Sequence, residues 1–316
     1  MTLPRIDEIT KHFPKHRESV VKNLLIASAS IFESETTNLN KVKKKVSHVT
    51  GNKETHPESN YKRLTRLFNV EKKKELVKGL LCLCCCLLDS RFGIKYLALD
   101  GTSWEYGEKK IHLLTLSVVY SGISIPIWWE ELDKKGTSNF KERKRVFREA
   151  CKYLNLEGLI LLADREYIGR DWFKYLKNKK IGFVIRLKKS IYKEEVDALG
   201  MGGSDSDSIR KARYIKLERM AKFHRYSKYG VSKRIRISGY EFTFVVFKNP
   251  KPTAKEKLLY FISSIKDKKE ITRAYPIRWT IETCFKHLKS NGFRLEELGM
   301  KNSEKIKLMM GIVVFL

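Results

Sequence analysis

The chain has 316 residues, of which 42% are hydrophobic and 32% are charged, so its apolar content suffices for one large folded domain or two to three smaller ones. This composition excludes a disordered or fibrous protein. Lysine and arginine number 65 against 36 acidic residues, and the formal net charge of +29 indicates a polyanionic partner.

The basic residues are spread along the whole chain, and no apolar run reaches the roughly 18 residues that a membrane span requires. We therefore expect nucleic acid, and not an anionic membrane, as the partner. The N-terminus lacks the apolar core of a secretory signal, so we expect a cytoplasmic protein.

Residues 1–92 have the apolar periodicity of helices, in segments around Val20–Phe32, Leu39–Val49 and Tyr61–Phe68. A Gly-Asn pair and a proline separate the second segment from the third. Several short basic helices predict a DNA-binding region related to the helix-turn-helix. A basic helical bundle without DNA contacts would have the same pattern.

Four of the six cysteines lie together at 82, 84, 85 and 86, within the predicted buried helix Leu76–Leu88. They are too close to form two separated metal-binding knuckles, although Cys82 and Cys85 have the C-x-x-C spacing. We expect them to serve as small apolar residues of that helix, in preference to a zinc or redox site.

From Lys95 the pattern changes to alternating strands and helices, which predicts a mixed sheet of the α/β class. Three strands should form an antiparallel meander, and two more should add to it in parallel through helices. The predicted strands are Tyr96–Leu99, Ile111–Tyr120, Ile123–Trp129, Leu159–Ala163 and Phe183–Leu187, and the predicted helices are Phe140–Leu154 and Asp171–Lys177.

Residues 190–265 predict an inserted β-rich subdomain with a mobile loop at Gly200–Ser208. Its predicted strands are Tyr214–Leu217, Arg234–Ser238, Tyr240–Phe247 and Leu258–Ser263. The chain ends in the apolar run Leu308–Leu316, which predicts either a docked final helix or a truncated chain, and we favour truncation.

Two aspartates follow apolar runs typical of buried central strands, Asp100 after Tyr96–Leu99 and Asp164 after Leu159–Ala163. Ligands in open α/β sheets gather at the carboxyl ends of such strands. Either aspartate alone could cap a turn or a helix, but the pair in a basic chain favours a functional site.

The segment 275–289 predicts one helix, with Pro276 near its first turn. On a helical projection Tyr275, Arg278, Glu282 and Lys289 share a stripe about 60° wide. A charge network on a solvated helix face is the alternative interpretation. Three carboxylates on two strands and a helix can, however, bridge two divalent cations of the kind that cut phosphodiesters.

These motifs resemble the DDE transposases of the bacterial insertion-sequence-four group. The resemblance covers residues 93–290 and rests on Asp-Gly-Thr at 100, Ala-Asp-Arg-Glu-Tyr at 163, Phe-Val-Ile-Arg-Leu-Lys at 183 and the spacing Y-(2)-R-(3)-E-(6)-K from 275. It implies a ribonuclease H-like five-stranded mixed sheet with a β-rich insertion and an N-terminal helical DNA-binding region. The implied divisions are 1–92, 93–190, 191–265 and 266–316.

The resemblance also implies the roles of individual residues. Asp100, Asp164 and Glu282 would hold two Mg²⁺ or Mn²⁺ ions, while Tyr275, Arg278 and Lys289 would grip backbone phosphates. Weaker DNA-binding candidates are Arg165, Arg186 and Thr102. The implied partners are the inverted repeats at the element ends and target DNA, bound by a homodimer that assembles on DNA in the bacterial nucleoid.

Related enzymes stack a tryptophan of the insertion on a flipped base, but residues 190–265 contain no tryptophan. An aromatic such as Phe223, Tyr226 or Tyr229 could stack instead, so we name no base-flipping residue. We expect the tryptophans at 104, 128, 129, 172 and 279 to be packing residues. His224 and His287 receive no acid–base role, because two-metal hydrolysis needs none.

Two other functions stay open at this point. A catalytically defective remnant of a transposase would still bind DNA ends without cutting them. Another ribonuclease H-like nuclease, such as a Holliday-junction resolvase, would share the metal ions but not transposition.

Overall fold

The computed structural model describes residues 6–89, 93–134, 136–187, 221, 229–237, 240–250 and 253–316. Five helices precede the sheet: α1 (Ile6–Thr10), α2 (Glu18–Ser34), α3 (Leu39–Thr50), α4 (Pro57–Asn69) and α5 (Lys73–Asp89). The predicted helical N-terminal region is therefore confirmed, and the predicted mobile loop Gly200–Ser208 and strand Tyr214–Leu217 lie outside the described residues.

Local sequence signals fix the ends of these helices. The Asn38 side chain accepts a hydrogen bond from the backbone of Asn40 at the start of α3, as an N-cap does. Gly51 ends α3 with a φ of +70°, a conformation that glycine adopts at low cost. Pro57 opens α4, where its missing N–H leaves no helical hydrogen bond unmade.

One eight-stranded sheet follows, with the strand order β3-β2-β1-β4-β5-β8-β7-β6. The strands are β1 (Tyr96–Tyr106), β2 (Lys109–Tyr120), β3 (Ile123–Glu131), β4 (Ile160–Ala163), β5 (Gly182–Leu187), β6 (Val231–Ile237), β7 (Tyr240–Lys248) and β8 (Leu258–Ser263). The described part of the chain is thus of the mixed α/β class. The crossover helices are α6 (Phe140–Ala150) and α7 (Arg170–Asn178).

The sheet is parallel only where β4 pairs with β1 and β5, and the other pairings are antiparallel. The five predicted strands of the core are neighbours, but the sheet does not stop at five. Because β8 pairs with β5 and β7 pairs with β8, the strands predicted as a separate inserted subdomain continue the same sheet. The boundaries proposed for the four divisions of the chain stay a prediction.

The two faces of the sheet are covered differently. The large core joins the N-terminal helices to one face through residues such as Leu97, Leu99 and Leu161. The opposite face carries smaller apolar clusters around Ala98 and Leu162, where the segment after β8 packs. This second face carries the candidate site.

The segment after β8 departs from the single helix that we predicted for 275–289. It contains α8 (Lys268–Ala274), a 3-10 turn (Tyr275–Arg278), α9 (Trp279–Lys286) and a π-helical turn (His287–Asn291). A 3-10 turn and a π turn change the angular spacing of side chains, so the projected stripe does not hold along the whole segment.

The final helix α10 (Ser303–Phe315) buries most of the apolar C-terminal run and packs against α5. Docking of a final helix was one of the two arrangements that the sequence predicted. Within the described residues, no helix is long and apolar enough to span a membrane.

Candidate active site

Asp100 and Asp164 lie side by side on neighbouring parallel strands. The last register pair between β1 and β4 is Leu99 with Ala163, and Asp100 and Asp164 are the next residues along the chain. Asp100 does not end β1 as predicted, because β1 continues to Tyr106 through its pairing with β2. Only β4 ends directly before its aspartate, because its pairing with β1 stops at Ala163.

Strand alternation points both aspartates to the same face. Ala98 and Leu162 belong to the clusters under the C-terminal segment, and side chains two residues apart in a strand share a face. Asp100 and Asp164 therefore face that segment. Arg186, two residues after Val184 of the same cluster, shares this face on β5.

Helix α9 brings Glu282 to this face. Ile281 and Phe285 of α9 are buried against Ala98 and Val119 of the sheet. The neighbouring Thr280 exchanges a hydrogen bond of 2.7 Å with Ser124 of β3, which fixes the helix relative to the meander. The Glu282 carboxylate lies near Asp100, since its negative charge acts on that aspartate.

Arg278 joins two of the three carboxylates. Its Nη1 atom donates to Oδ2 of Asp100 at 3.0 Å, and its Nη2 atom donates to Oε1 of Glu282 at 2.5 Å. The Arg278 side chain is only 4% exposed, and these ion pairs and hydrogen bonds offset part of its desolvation. One guanidinium therefore bridges Asp100 and Glu282 through its two terminal nitrogens.

The third carboxylate has a different neighbour from the same 3-10 turn. The Tyr275 hydroxyl donates to Oδ1 of Asp164 at 3.3 Å, and the Tyr275 ring packs on Phe261 with a centroid distance of 4.7 Å. Burial, with a further contribution from the Asp164 charge, raises the pKa of Tyr275 to about 12. The phenol thus stays protonated at neutral pH and can donate this hydrogen bond.

The aspartate beside Arg278 lies in an environment that disfavours its charge. Burial raises the pKa of Asp100 to about 6, although Arg278 and the backbone N–H of Gly101 act in the opposite direction. Glu166 and Glu282 add to the rise by repulsion. A cluster of this kind is stabilised by a cation.

The donor set fits hard divalent cations. Asp100, Asp164 and Glu282 offer carboxylate oxygens on two rigid strands and a helix, which Mg²⁺ and Mn²⁺ prefer. A buried guanidinium already lies between two of these carboxylates, so this position attracts positive charge. Chemically, such a set can hold metal ions beside a phosphodiester.

Arg165 and Arg186 share an acidic partner that sequence reasoning missed. Glu256 accepts from Nη1 of Arg165 at 3.2 Å and from Nη2 of Arg186 at 2.5 Å. Neither arginine is therefore a free phosphate contact in this conformation. No motif marks Glu256, which precedes β8, so only the fold brings it to the two arginines.

Lys289 does not contact the carboxylates with which it was grouped. Its Nζ atom donates to the backbone carbonyl of Ser103 at 2.9 Å and lies 3.3 Å from Glu296. The π-helical turn explains this displacement, since it rotates residues after Lys286 away from the predicted stripe. Thr102 is buried on β1, two residues beyond Asp100 on the same face.

The tryptophans divide into two groups. Those at 104, 128, 129 and 172 are buried, as predicted, whereas Trp279 is 50% exposed. The prediction of a packing role for Trp279 is therefore wrong, because α9 packs through Ile281 and Phe285. The Arg278 guanidinium lies 5.6 Å from the Trp279 ring centroid, which places an open aromatic surface beside the site.

Two of the aromatics proposed for base stacking, Phe223 and Tyr226, lie outside the described residues. Tyr229 contacts Arg273, whose Nη2 atom lies 2.9 Å from the tyrosine hydroxyl. This places Tyr229 against α8. The exposed His287 packs near Phe293, and His224 lies outside the described part of the chain.

No curated protein matches the chain. Among solved structures, the chain is similar to the piggyBac transposase in its synaptic complex with hairpin DNA, with 11% sequence identity and a TM-score of 0.44. That alignment covers 94% of this chain and 65% of the piggyBac chain. The family model "Transposase DDE domain" matches residues 91–316, which include the three carboxylates and most of the chain. The chain therefore belongs to the DDE transposase family.

Proposed function

We propose that this protein cuts and joins DNA as a transposase of the insertion-sequence-four group, with Asp100, Asp164 and Glu282 as its metal-binding carboxylates. One observation carries the proposal. The register of β1 on β4 places the two aspartates side by side, and Arg278 joins Asp100 to Glu282. The Y-(2)-R-(3)-E-(6)-K spacing from 275 supports the assignment to this group, and the neighbouring order β3-β2-β1-β4-β5 supports a ribonuclease H-like core.

The two reactions are phosphoryl transfers at one site. Water first attacks a phosphodiester at each element end and frees a 3′-hydroxyl group, and that hydroxyl then attacks target DNA. Two bound Mg²⁺ or Mn²⁺ ions would activate the attacking oxygen and stabilise the leaving oxygen. Asp100 and Asp164, fixed by paired strands, would hold their ligand oxygens in place through both reactions.

The residues around the carboxylates would position the DNA. Arg278 and Tyr275 lie at the carboxylates in this conformation and can turn to a phosphate when metal ions take their place. Lys289, Arg165 and Arg186 would contact phosphates on either side. The three arginines and Lys289 each form an ion pair with a carboxylate in this conformation. DNA binding would therefore replace that carboxylate by a phosphate.

The N-terminal helices supply a second basic surface. Lys44 and Lys45 on α3 and Lys62, Arg63 and Arg66 on α4 are exposed, on two helices that pack together. We propose that this surface binds the inverted repeats by phosphate contacts. A dimer that assembles on paired ends would then bring two catalytic sites to the same DNA.

The test is strand nicking of DNA that carries the flanking ends of the gene, with Mg²⁺ or with EDTA. We expect metal-dependent formation of 3′-hydroxyl ends by the native chain and none by Asp164→Ala. Asp171→Ala is the matched control, because it removes an exposed aspartate at the start of α7. End binding without nicking by the native chain would refute the catalytic assignment and favour a DNA-binding remnant.

A further inference from the structure

A group of soft ligands in the N-terminal region takes no part in the proposed DNA chemistry. His12 lies in the turn after α1, and Cys82 and Cys86 lie one turn apart on α5. Nδ1 of His12 is 3.4 Å from Sγ of Cys82. The ligand atoms of all three side chains lie within 4.8 Å of one another. Among the described residues, no other three histidine, cysteine, aspartate or glutamate side chains form such a group.

Packing holds His12 over α5. Gly79 lies on α5 one turn before Cys82, and a Cβ atom there would lie 2.8 Å from the carbonyl oxygen of His12 and would also meet the Phe13 ring. A glycine is therefore required where the chain crosses the helix. Phe13 is fully buried in the core, so it fixes the turn and aims the His12 imidazole along the helix.

The cysteines differ in their surroundings, which the sequence could not show. Cys85 is buried, whereas Cys82 is half-buried and Cys86 is exposed. The expectation that the four cysteines are small apolar residues of a buried helix therefore fails for Cys86, which is exposed, while Cys82 and Cys84 are half-buried. An ion could reach Cys82 and Cys86 from solvent, and the exposed side leaves room for a water molecule.

We propose that His12, Cys82 and Cys86 bind a thiophilic divalent cation such as Zn²⁺, with a water molecule as the fourth ligand. Zinc binds sulfur at about 2.3 Å and imidazole nitrogen at about 2.0 Å in tetrahedral sites, so small side-chain rotations would bring ligand atoms within 4.8 Å onto one ion. Two sulfur ligands and an imidazole select zinc, whereas the all-oxygen site of Asp100, Asp164 and Glu282 selects magnesium or manganese.

Binding would release protons and would link two parts of the fold. Both thiols must lose their protons and the imidazole must be neutral, so up to two protons pass to the buffer for each ion bound. Burial, together with Cys86, raises the pKa of the Cys82 thiol, so Cys82 is protonated at neutral pH in the metal-free chain. The ion would join the turn after α1 to α5 and stabilise the folded chain by mass action.

The first experiment is a competition titration of the reduced full chain with Zn²⁺ against a chromogenic chelator. We expect one tight site, with an affinity at least about tenfold lower in Cys86→Ser and in His12→Gln. Cys151→Ser is the matched control, since it removes another exposed thiol and should leave the affinity unchanged. Cys86 is exposed, so its replacement leaves the core intact, and far-ultraviolet circular dichroism checks the folding of each variant.

A second readout separates this site from the carboxylates. Co²⁺ bound at the proposed site should give thiolate charge-transfer absorption in the near ultraviolet, which Asp100→Asn retains and Cys86→Ser loses. Equal zinc affinity of the native chain and Cys86→Ser would overturn the proposal.

Discussion

Replacement of Arg278 by methionine is the most informative single change at the candidate active site. Methionine keeps much of the apolar volume but removes the guanidinium that joins Asp100 to Glu282. Two carboxylates would then face each other without a counter-ion. We expect lower stability in metal-free buffer and partial recovery in Mg²⁺, because the divalent cation would replace the lost positive charge.

The size of the loss follows from the burial of the partners. Removing one member of a buried ion pair costs about 3–5 kcal/mol, and the Arg278 and Asp100 side chains are 4% and 20% exposed. Glu282 is 38% exposed, so solvent screening limits the contribution of its pair to about 1 kcal/mol or less. We therefore expect a loss at the low end, about 3 kcal/mol.

The measurement is urea unfolding in EDTA and in Mg²⁺, followed by circular dichroism. Arg273→Met is the matched control, since Arg273 is exposed on α8 and its replacement should cost no more than about 0.5 kcal/mol. Equal unfolding midpoints for Arg278→Met and Arg273→Met would refute the reasoning. So would a stability of Arg278→Met that does not respond to Mg²⁺.

Three further predictions concern the surroundings of the site and one crossover helix. Glu256→Gln should strengthen DNA binding and steepen its salt dependence, because Arg165 and Arg186 lose their shared partner and become available to phosphates. Fluorescence anisotropy across a salt series measures the binding constant, and an unchanged slope of binding against salt concentration would contradict the prediction. Trp279→Ala should weaken binding to single-stranded ends by about 1–3 kcal/mol if the exposed ring stacks on a base, with little change in the unfolding midpoint. The pKa of Glu142 is lowered even though burial acts to raise it, chiefly by its hydrogen bonds to Lys134 and to the Asn139 backbone. Its carboxylate therefore stabilises the fold above the unfolded-state pKa, and the stability difference between the native chain and Glu142→Gln should vanish as the pH falls through the lowered pKa. A stability difference that does not shrink as the medium is acidified would contradict this.

Strand alternation and register account for what the sequence could predict about the site. Asp100 and Asp164 each follow an apolar run, and the expectation that strands add in parallel to the meander is confirmed by the pairing of Leu99 with Ala163. The segment from Tyr275 was expected to carry a carboxylate among cations, and it lies against both aspartates. The roles of these residues in catalysis stay a prediction.

The contacts between remote positions could not be predicted. Glu256 joins Arg165 and Arg186 across 91 and 70 residues, and no periodicity or spacing relates them. The 3-10 and π turns that bury Arg278 and displace Lys289 depend on packing of the segment against the sheet, which outweighs local helix propensity. The extension of the sheet from five strands to eight depends on pairing at the edge of β5, which strand patterns alone do not specify.

The Arg278 bridge joins residues that are far apart in the order of synthesis. The basic helices of residues 6–89 emerge first, Asp100 and Asp164 follow, and Glu282 emerges more than a hundred residues later with its Arg278 partner. Under the proposed function, a nascent or prematurely terminated chain can hold DNA but has no complete set of carboxylates with which to cut it.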